Sequence, residues 1–522
     1  MYKIDGVDQI DPDSAIEKTF TGLSNYFSTE SFVVPAKYWV NRQSYQSFKF
    51  TVYIATSPVG DLRPFNDSIT IDVCVGLDGR FLIDRNQTPN DSTFSSLQHT
   101  YEYLKCGVAG PTVIELADGT YDEQVYLWKI RNSSAINNIT FKSLNNAYNT
   151  KLTFFGGTSE NHATVLMNNA QYITLDELTI ENRNLTNGSC IQFAGNAKFN
   201  TIKNCVITLN RLQNTIWTAP GHNGSTGIAV LNGLNTASGA VTVTAASGTN
   251  SNNKFYSNTI QNCNAGLVFI GFGDIAPYAL SDSGNDVGGL SASTGNSILN
   301  FGGGAITNPA TGIFVNNQYG FNGSYNTINN NNGTGVNHAT TLRGIFANVS
   351  SNGASMNLNN NTITLKSAVT TSQVSAIECS AGSTGSGNTI NINNNTITGC
   401  TNDLATTSIW YGIYNTGTPT NLNVNNNTLV DLVSTRFVQQ RICAHDNDTR
   451  QCAHCKNRRD DCCHHATAPT CRNRCHDTTS YRWCCAMIAC TAGDVIVSID
   501  ASVATAARMS LLDTSTGSIV TT

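Results

Sequence analysis

A block of cysteine and histidine side chains near the end of the chain has the residue types and spacing that bind metal ions. Residues 441–490 contain ten of the seventeen cysteines and five of the nine histidines. A C-x2-C pair starts at Cys452, two adjacent histidines start at His464, and a C-x3-C pair starts at Cys471. These spacings lie within the range of tetrahedral zinc ligands. A zinc module is therefore one interpretation, and a disulfide knot is a second.

The abrupt change in composition at residues 436–492 favours a third interpretation, translation out of frame. The preceding segment is rich in Asn, Thr, Gly and Ile, whereas this one is rich in Cys, His and Arg. Asn-Thr codons read in a shifted frame encode Gln and His, and shifted Asn-Ala codons encode Cys. Strand-like alternation then returns at residues 493–503. On this interpretation the block holds no metal, and the sequence calls for no cofactor.

Carboxylates form a second set of candidates, because paired acids cleave glycosidic bonds. The densest group is Asp176, Glu177 and Glu181 in "LDELTIENR". A solvated strand edge is the favoured explanation of this group, and a catalytic pair is the alternative. Few other charged residues occur between positions 351 and 430, where the acids are Glu378 and Asp403. Spacing alone does not pair those two.

Loops contain the remaining candidates for ligand binding. The insertion "FGDIAPYALSDSGND" (272–286) would offer Asp274, Asp282 and Asp286 to Ca²⁺ or to a sugar, or it is a plain polar loop. His222 lies in a Gly-rich loop without an obvious partner. Aromatic side chains that would stack on sugar rings, or pack in a core, are Trp217, Tyr278, Tyr319, Phe321, Trp410 and Tyr411.

The overall composition excludes several classes of function. Only 12% of the 522 residues are charged, and the formal net charge is −5, so nothing favours nucleic acid or an anionic membrane as a partner. No apolar run is long enough to span a bilayer. The first residues, "MYKIDGVDQIDPDSAI", do not form a signal peptide. We therefore expect either a cytosolic protein or a chain truncated at its N-terminus.

An asparagine-rich motif recurs along the chain and indicates what positions these residues. An Asn followed by a small residue and then Val, Ile or Leu occurs at Asn204, Asn258, Asn296, Asn326, Asn361, Asn395 and Asn427. After each Asn, apolar and polar residues alternate as in a short strand. The unequal intervals are typical of coils that have constant strands and variable loops.

Short strands in repeating coils stack into a parallel β-helix. In that fold, asparagines at one corner would hydrogen-bond to their equivalents above and below as an amide ladder. Asn also tolerates the left-handed backbone that a tight corner requires. The array extends from about residue 80 to about residue 435. Ten to twelve coils at ~4.8 Å each would make a rod roughly 50–60 Å long.

The segment 80–210 resembles the entry region of large secreted bacterial right-handed β-helix proteins. That family combines a "G-x-[FY]-x-I" strand, "F-x-S-[LF]", a helix ending in "C-G-[IV]-x-G-P", and "G-x-Y-x-E-Q". The matching residues are Gly79, Phe81, Ile83, Phe94, Ser96, Cys106, Gly107, Gly110, Pro111, Gly119, Tyr121, Glu123 and Gln124. Many members of the family are exported by the type IX secretion system. The resemblance therefore implies an extracellular or cell-surface location.

The repeat, the change of composition and the resemblance together suggest a division into domains. Residues 1–78 resemble part of a small β-sandwich, 79–435 are the right-handed parallel β-helix, 436–492 are the disrupted segment and 493–522 are a tail. Cys74 and Cys106 flank the first junction and would form a disulfide in an exported protein, or remain two buried thiols.

These observations predict an all-β, non-enzymatic surface protein with a structural or adhesive role. Its expected partner is a polysaccharide or cell-surface glycan that lies along the rod. No nucleic acid or membrane span is expected, and the chain is expected to be a monomer. The alternative is a polysaccharide lyase or glycoside hydrolase acting on the β-helix face, and a further alternative is a phage tailspike.

Overall fold

The computed structural model describes residues 76–434, apart from 91, 157–161, 185–187, 210–224, 232–241, 276, 303–308, 336, 349–353 and 384–386. Outside that range it describes only short strands near the two ends of the chain. His222, Trp217, Cys74 and the cysteine–histidine block therefore lie outside the described residues.

The described chain is a right-handed parallel β-helix, as the sequence predicts. One coil passes through three strands in turn, one in each of three long parallel sheets that we call sheets 1, 2 and 3. Within the described residues there are nine complete coils and the first two strands of a tenth. This number is slightly below the ten to twelve coils expected from the sequence.

The strands of the three sheets have the following bounds. Sheet 1 contains Leu77–Ile83, Thr93–Phe94, Val108–Leu116, Ile139–Ser143, Ile173–Asp176, Thr201–Lys203, Lys254–Tyr256, Asp286–Val287, Phe321–Gly323, Met356–Asn357, Thr389–Asn391 and Asn421–Asn423. Sheet 2 contains Gly119–Asp122, Thr150–Phe154, Thr179–Asn182, Val206–Leu209, Thr259–Gln261, Ser297–Leu299, Thr327–Asn329, Thr362–Thr364, Thr396–Thr398 and Thr428–Val430. Sheet 3 contains Val125–Leu127, Ala163–Asn168, Gly188–Ala194, Ser225–Leu231, Ala265–Ile270, Ala310–Asn316, Leu342–Ala347, Val374–Cys379 and Trp410–Asn415.

Smaller elements complete the described chain. Strand Asp282–Ser283 pairs with Gln318–Tyr319, and Lys366–Ser367, Thr401–Asn402 and Val433–Ser434 form a three-stranded sheet. Single 3₁₀ turns span Ala246–Gly248 and Ala292–Thr294. Antiparallel sheets are formed by Tyr2–Ile4, Val7–Asp8, Phe48–Tyr53 and Ser68–Val73, and by Ile496–Val503, Ala506–Asp513 and Ser518–Val520. The expected sandwich at the N-terminus stays a prediction.

Alternation along each strand sends one row of apolar side chains into the core. In sheet 2 the parallel register aligns Ile180, Ile207, Ile260, Ile298, Ile328, Ile363 and Ile397 directly above one another. Each of these side chains is fully buried. Because successive residues of a strand face opposite sides, the neighbours of each isoleucine lie on the outer face.

Five strands of sheet 3 have a Gly followed by an apolar residue at their second and third or third and fourth positions. A Cβ at Gly266 would lie 2.5 Å from the carbonyl oxygen of Gly312 and 2.6 Å from Ile298 Cγ2. Similar contacts would arise at Gly312 and Gly344. At these positions the strand lies close to an isoleucine of sheet 2 and to the backbone of the next coil. Only very small side chains therefore fit there.

A short helix covers the N-terminal end of the core. The helix Leu97–Leu104 begins at Ser96, whose Oγ accepts a hydrogen bond of 3.0 Å from the His99 N–H. The Glu123 carboxylate accepts hydrogen bonds from the amides of Leu97 and Gln98, at the positive end of the helix. Burial still raises the pKa of Glu123 above its usual value. These residues from the sequence motif therefore have structural roles.

Candidate functional site

The predicted acidic group is neutralised by lysines from neighbouring coils. Asp176 pairs with Lys203 at 3.1 Å, and Glu177 pairs with Lys142 at 3.4 Å. Glu181 pairs with a lysine of sheet 2 at 3.2 Å. The register of sheet 1 places Lys142, Asp176 and Lys203 in one outer row of alternating charge. This geometry is a partly solvated ion-pair row, not a pair of facing carboxylates.

The three aspartates of the 272–286 insertion do not converge on a common point. Asp274 accepts hydrogen bonds from backbone N–H groups of its own loop. Asp282 is buried and accepts from the Asn250 N–H at 2.8 Å, whereas Asp286 accepts from the Tyr256 hydroxyl and the Asn322 amide. In the described part of the chain, no group of three or more His, Cys, Asp or Glu side chains is arranged to hold a metal ion.

Six of the seven singled-out asparagines form one buried row at the corner between sheets 1 and 2. From Asn258 to Asn395, each side-chain amide nitrogen donates to the side-chain oxygen of its equivalent in the next coil, at 2.9–3.2 Å, and Asn427 is the last acceptor. The same oxygen also accepts the backbone N–H of the asparagine in the preceding coil. Each amide group is therefore satisfied without water.

Asn204 differs from the other six, which corrects its assignment to this row. It lies one residue before the corner position, which is occupied by Cys205, whose N–H donates to Asn258 Oδ1 at 3.0 Å. Asn204 has a φ of 54° and donates its side-chain amide to Asp176 at 2.8 Å. Asn is suited both to the buried corner position and to the left-handed position before it. Aligning the coils on their asparagines therefore does not reveal the one-residue shift at Asn204.

The repeated cluster "NLNNNTIT" divides four tasks among four asparagines. Asn357 lies exposed on the outer face of sheet 1 and accepts from the amide of the equivalent Asn in the next coil, at 2.7 Å. Asn359 accepts a backbone N–H of the next coil at 2.8 Å. Asn360 takes the left-handed conformation, with a φ of 56°, and Asn361 belongs to the buried row. All four tasks are structural.

The described cysteines are structural as well. Cys106 is disulfide-bonded, while Cys74, the partner expected from the sequence, lies outside the described residues. Cys190, Cys205, Cys263, Cys379 and Cys400 are free and buried. Burial raises the pKa of the Cys205, Cys263 and Cys400 thiols to about 12, so these thiols are protonated at neutral pH.

The predicted loop aromatics separate into core and surface residues. Phe321 is fully buried and contacts Phe269 edge to face, at 5.1 Å between ring centroids. Tyr278 and Tyr319 stack at 6.3 Å on the surface side of the fold. Tyr411 lies on the outer face of sheet 3, where it stacks on Tyr414 at 4.3 Å with an interplanar angle of 17°.

A charged cluster on the same outer face is the strongest candidate site, and the sequence analysis did not identify it. Arg343 Nε donates to Glu378 Oε2 at 2.6 Å, and Nη2 approaches Oε1 at 3.3 Å. The Gln373 amide donates to Glu378 Oε2 at 2.7 Å, and the Ser375 hydroxyl lies 3.3 Å from the same oxygen. Only 18% of the Arg343 side chain and 9% of the Glu378 side chain are exposed.

Aromatic rings surround this cluster, which we call the Arg343–Glu378 site. The Arg343 guanidinium lies 4.1 Å above the centre of the Phe346 ring, which in turn contacts Phe314 edge to face at 5.4 Å. The register of sheet 3 places Phe314, Phe346, Glu378 and Tyr414 in one outer row, in which Phe314 is buried and Phe346 and Tyr414 are partly exposed. Aligning the strands on their Gly-Ile or Ala-Ile pairs would have revealed this row from the sequence.

The chain has only distant similarity to known proteins. No protein-family model matches the chain, and no curated protein matches it. Among solved structures, a GH136 lacto-N-biosidase from Eubacterium ramulus has 10% sequence identity and a TM-score of 0.32, with 67% of each chain covered. The pectin methylesterase PemA from Erwinia chrysanthemi has 9% identity and a TM-score of 0.28, and covers 66% of this chain and 91% of its own.

A third similar structure is the PL6 family polysaccharide lyase Pedsa3628 from Pseudopedobacter saltans. It has 14% identity and a TM-score of 0.23, with 68% of this chain and 93% of the lyase covered. In the described part of the chain, no helix is long and apolar enough to cross a membrane.

Proposed function

We propose that this protein binds a polysaccharide outside the cell, on the outer face of sheet 3, and that the Arg343–Glu378 site is the centre of the contact. The observation that carries the proposal is the combination of a bidentate ion pair with aromatic rings in one outer row of a rigid sheet. Sugars present hydroxyl groups at the ring edge and apolar C–H groups on the ring face. This site offers partners for both.

The polar half of the site is held in place before any ligand arrives. Glu378 receives hydrogen bonds from Arg343, Gln373 and Ser375, so its side chain has little rotational freedom. Gln373 also donates to Ser375 Oγ at 2.6 Å. A preorganised group loses less conformational entropy on binding, and this increases the affinity that each contact with a sugar hydroxyl provides.

The site's charge favours hydroxyl recognition over capture of a free ion. The carboxylate of Glu378 balances the guanidinium of Arg343, and their remaining lone pair and N–H positions suit sugar hydroxyls. Charge-assisted hydrogen bonds of this kind contribute about 1.5–3 kcal/mol when a group is removed. A surface role such as adhesion would follow from retention of glycans along the rod.

Affinity electrophoresis tests the proposal. The full chain is run through gels that contain a neutral glucan, a neutral galactan, polygalacturonate or alginate. We expect at least one polysaccharide to retard the wild-type chain, and the double variant Arg343→Met, Glu378→Gln to bind about tenfold more weakly. The double variant should still fold, because replacing a buried ion pair by groups of similar volume is often nearly neutral.

The matched control is the double variant Lys151→Met, Glu181→Gln, which removes an exposed ion pair from sheet 2. It should migrate like the wild-type chain in every gel. Equal retardation of the wild type and the Arg343–Glu378 variant would show that the site does not bind the polysaccharide.

Cleavage of the bound polysaccharide is a second candidate function, and Glu378 is the observation in its favour. Its carboxylate lies beside a guanidinium on an outer sheet face, which suits acid–base chemistry on a sugar. Incubation of the chain with each polysaccharide distinguishes binding from cleavage. New reducing ends or unsaturated uronates, abolished by Glu378→Gln, would establish an enzyme, whereas intact recovered polymer would support binding alone.

A further inference from the structure

A pair of stacked aromatic rings occupies a corner position that is costly for aromatic residues. Where sheet 3 leads into sheet 1, Tyr172, Phe199, Asn252, Gly284 and Gly320 occupy equivalent positions in successive coils. The backbone N–H groups of the first four residues each donate to the carbonyl oxygen that precedes the equivalent residue of the next coil, which fixes the alignment. All five residues have a left-handed backbone, with φ between 57° and 65°.

Two of the five residues at this position are of types that disfavour the left-handed backbone conformation. Gly and Asn adopt the left-handed conformation readily, and three of the five coils use them. A bulky residue with positive φ is a conformational outlier, and such outliers cluster at functional sites. Tyr172 and Phe199 therefore adopt an unfavourable backbone for a reason that the corner itself does not supply.

The two rings face each other almost in parallel and remain accessible. Their centroids are 4.9 Å apart and their planes differ by 8°. Phe199 is 43% exposed and Tyr172 is partly exposed. Stacking recovers part of the backbone cost, but it does not require the rings to be displayed to solvent.

Polar side chains border the pair and complete a surface suited to sugars. Gln171 and Lys198, which precede the two aromatic residues in sequence, form a backbone bridge between adjacent coils, and the Lys198 ammonium donates to the carbonyl oxygen of Ala246. The Asn196 amide donates to Asn169 Oδ1 at 2.9 Å. An apolar plate with polar residues next to it suits the apolar face and hydroxyl edge of a sugar ring.

We propose that Tyr172 and Phe199 form a second contact for the polysaccharide, a platform on which a sugar ring of the bound chain stacks. This inference rests on the proposed function. Phe199 precedes the Arg343 coil by three coils, which corresponds to roughly 15 Å along the rod. One polysaccharide chain several sugars long would therefore contact both sites.

The test is the double variant Tyr172→Asn, Phe199→Asn in the full chain, examined in the same four gels. The substitutions install the residue type that the next coil already uses, so we expect the unfolding temperature to stay within about 2 °C of the wild type. Retardation by the binding polysaccharide should weaken by about fivefold to tenfold, the range for loss of aromatic stacking contacts.

Tyr325→Asn is the matched control. Tyr325 also has a left-handed backbone, with a φ of 62°, but it lies at the corner between sheets 1 and 2, where the next coil carries Asn360. This variant relieves the same kind of backbone strain away from the platform. It should therefore bind like the wild type.

The outcomes separate the two proposals. Unchanged retardation of the Tyr172 and Phe199 variant overturns the platform, and a fall in its unfolding temperature of more than about 5 °C without loss of binding assigns the stack a structural role. If this variant loses binding while the Arg343–Glu378 variant retains it, the platform stands and the proposed site falls. If no gel retards the wild-type chain, both proposals fail.

Discussion

The first coils and the last coils of this β-helix have the same interior but different exteriors. In coils between residues 108 and 209, one outer row of sheet 1 reads Glu115, Lys142, Asp176 and Lys203. In coils between residues 356 and 430, an outer row of the same sheet is made of asparagines that hydrogen-bond to one another. Both kinds of row satisfy their polar groups through the next coil.

The difference shows that the coil geometry restricts the interior far more than the surface. Ile180 in an early coil and Ile363 in a late coil lie in one continuous buried row. Equivalent outer positions of successive coils lie ~4.8 Å apart, so their polar side chains must interact favourably with one another. Alternating charges achieve this in the early coils, and repeated amides achieve it in the late coils. An outer row that contains neither alternating charges nor repeated amides, such as the row of Glu378, is therefore the place to look for a functional site.

The largest effect should come from breaking the buried ion pair of the late coils. Arg343→Met alone leaves the Glu378 carboxylate uncompensated, with 9% of its side chain exposed. We expect the free energy of unfolding, measured by urea denaturation, to fall by about 3–5 kcal/mol. Lys151→Met, which breaks an exposed pair of the early coils, should lower it by at most about 1 kcal/mol. Equal losses would contradict the distinction.

The next largest effect should separate the inner and outer asparagine rows. Asn361→Ala removes a buried amide that bonds both neighbouring coils, and leaves their buried polar groups unsatisfied. We expect a loss of about 2–3 kcal/mol in the same denaturation experiment. Asn357→Ala, in the exposed row, should change stability by less than about 0.5 kcal/mol. A large loss at Asn357 would show that the outer rows also stabilise the fold.

Removing one buried methyl group should have a smaller effect on stability, and the effect should be the same in the early and the late coils. Ile180→Val and Ile363→Val each remove one methyl group from the continuous buried row of sheet 2. Each should lower the free energy of unfolding by about 1 kcal/mol. Values that differ between the two sites by more than about 1 kcal/mol would show that the interior is not equivalent along the rod.

The smallest effect should distinguish the charged exterior from the amide exterior by its salt dependence. Lys142→Met removes the lysine that lies 3.4 Å from Glu177, a carboxylate whose side chain is 40% exposed. We expect a loss of at most about 1 kcal/mol at low salt. The loss should vanish at ~1 M salt, where the screening length is ~3 Å. The small effect of Asn357→Ala should not depend on salt, and an equal dependence would refute the assignment.

The architecture could be predicted from the sequence, because the period of apolar residues and the recurring asparagine follow from local geometry. The sequence indicated the buried asparagine row from Asn258 onward, and it missed the one-residue shift at Asn204. The strand Ile496–Val503 falls within the segment in which alternation returns, at residues 493–503. Such features depend only on neighbours along the chain.

Only the tertiary structure decided which side chains from different coils meet. Arg343 and Glu378 are 35 residues apart, and the loops between equivalent strands vary in length, so spacing alone does not pair them. The same stacking neutralised the acids at Asp176, Glu177 and Glu181, which looked like a catalytic group in sequence. Parallel register brings together residues one coil apart, and this register exists only after the coils have packed.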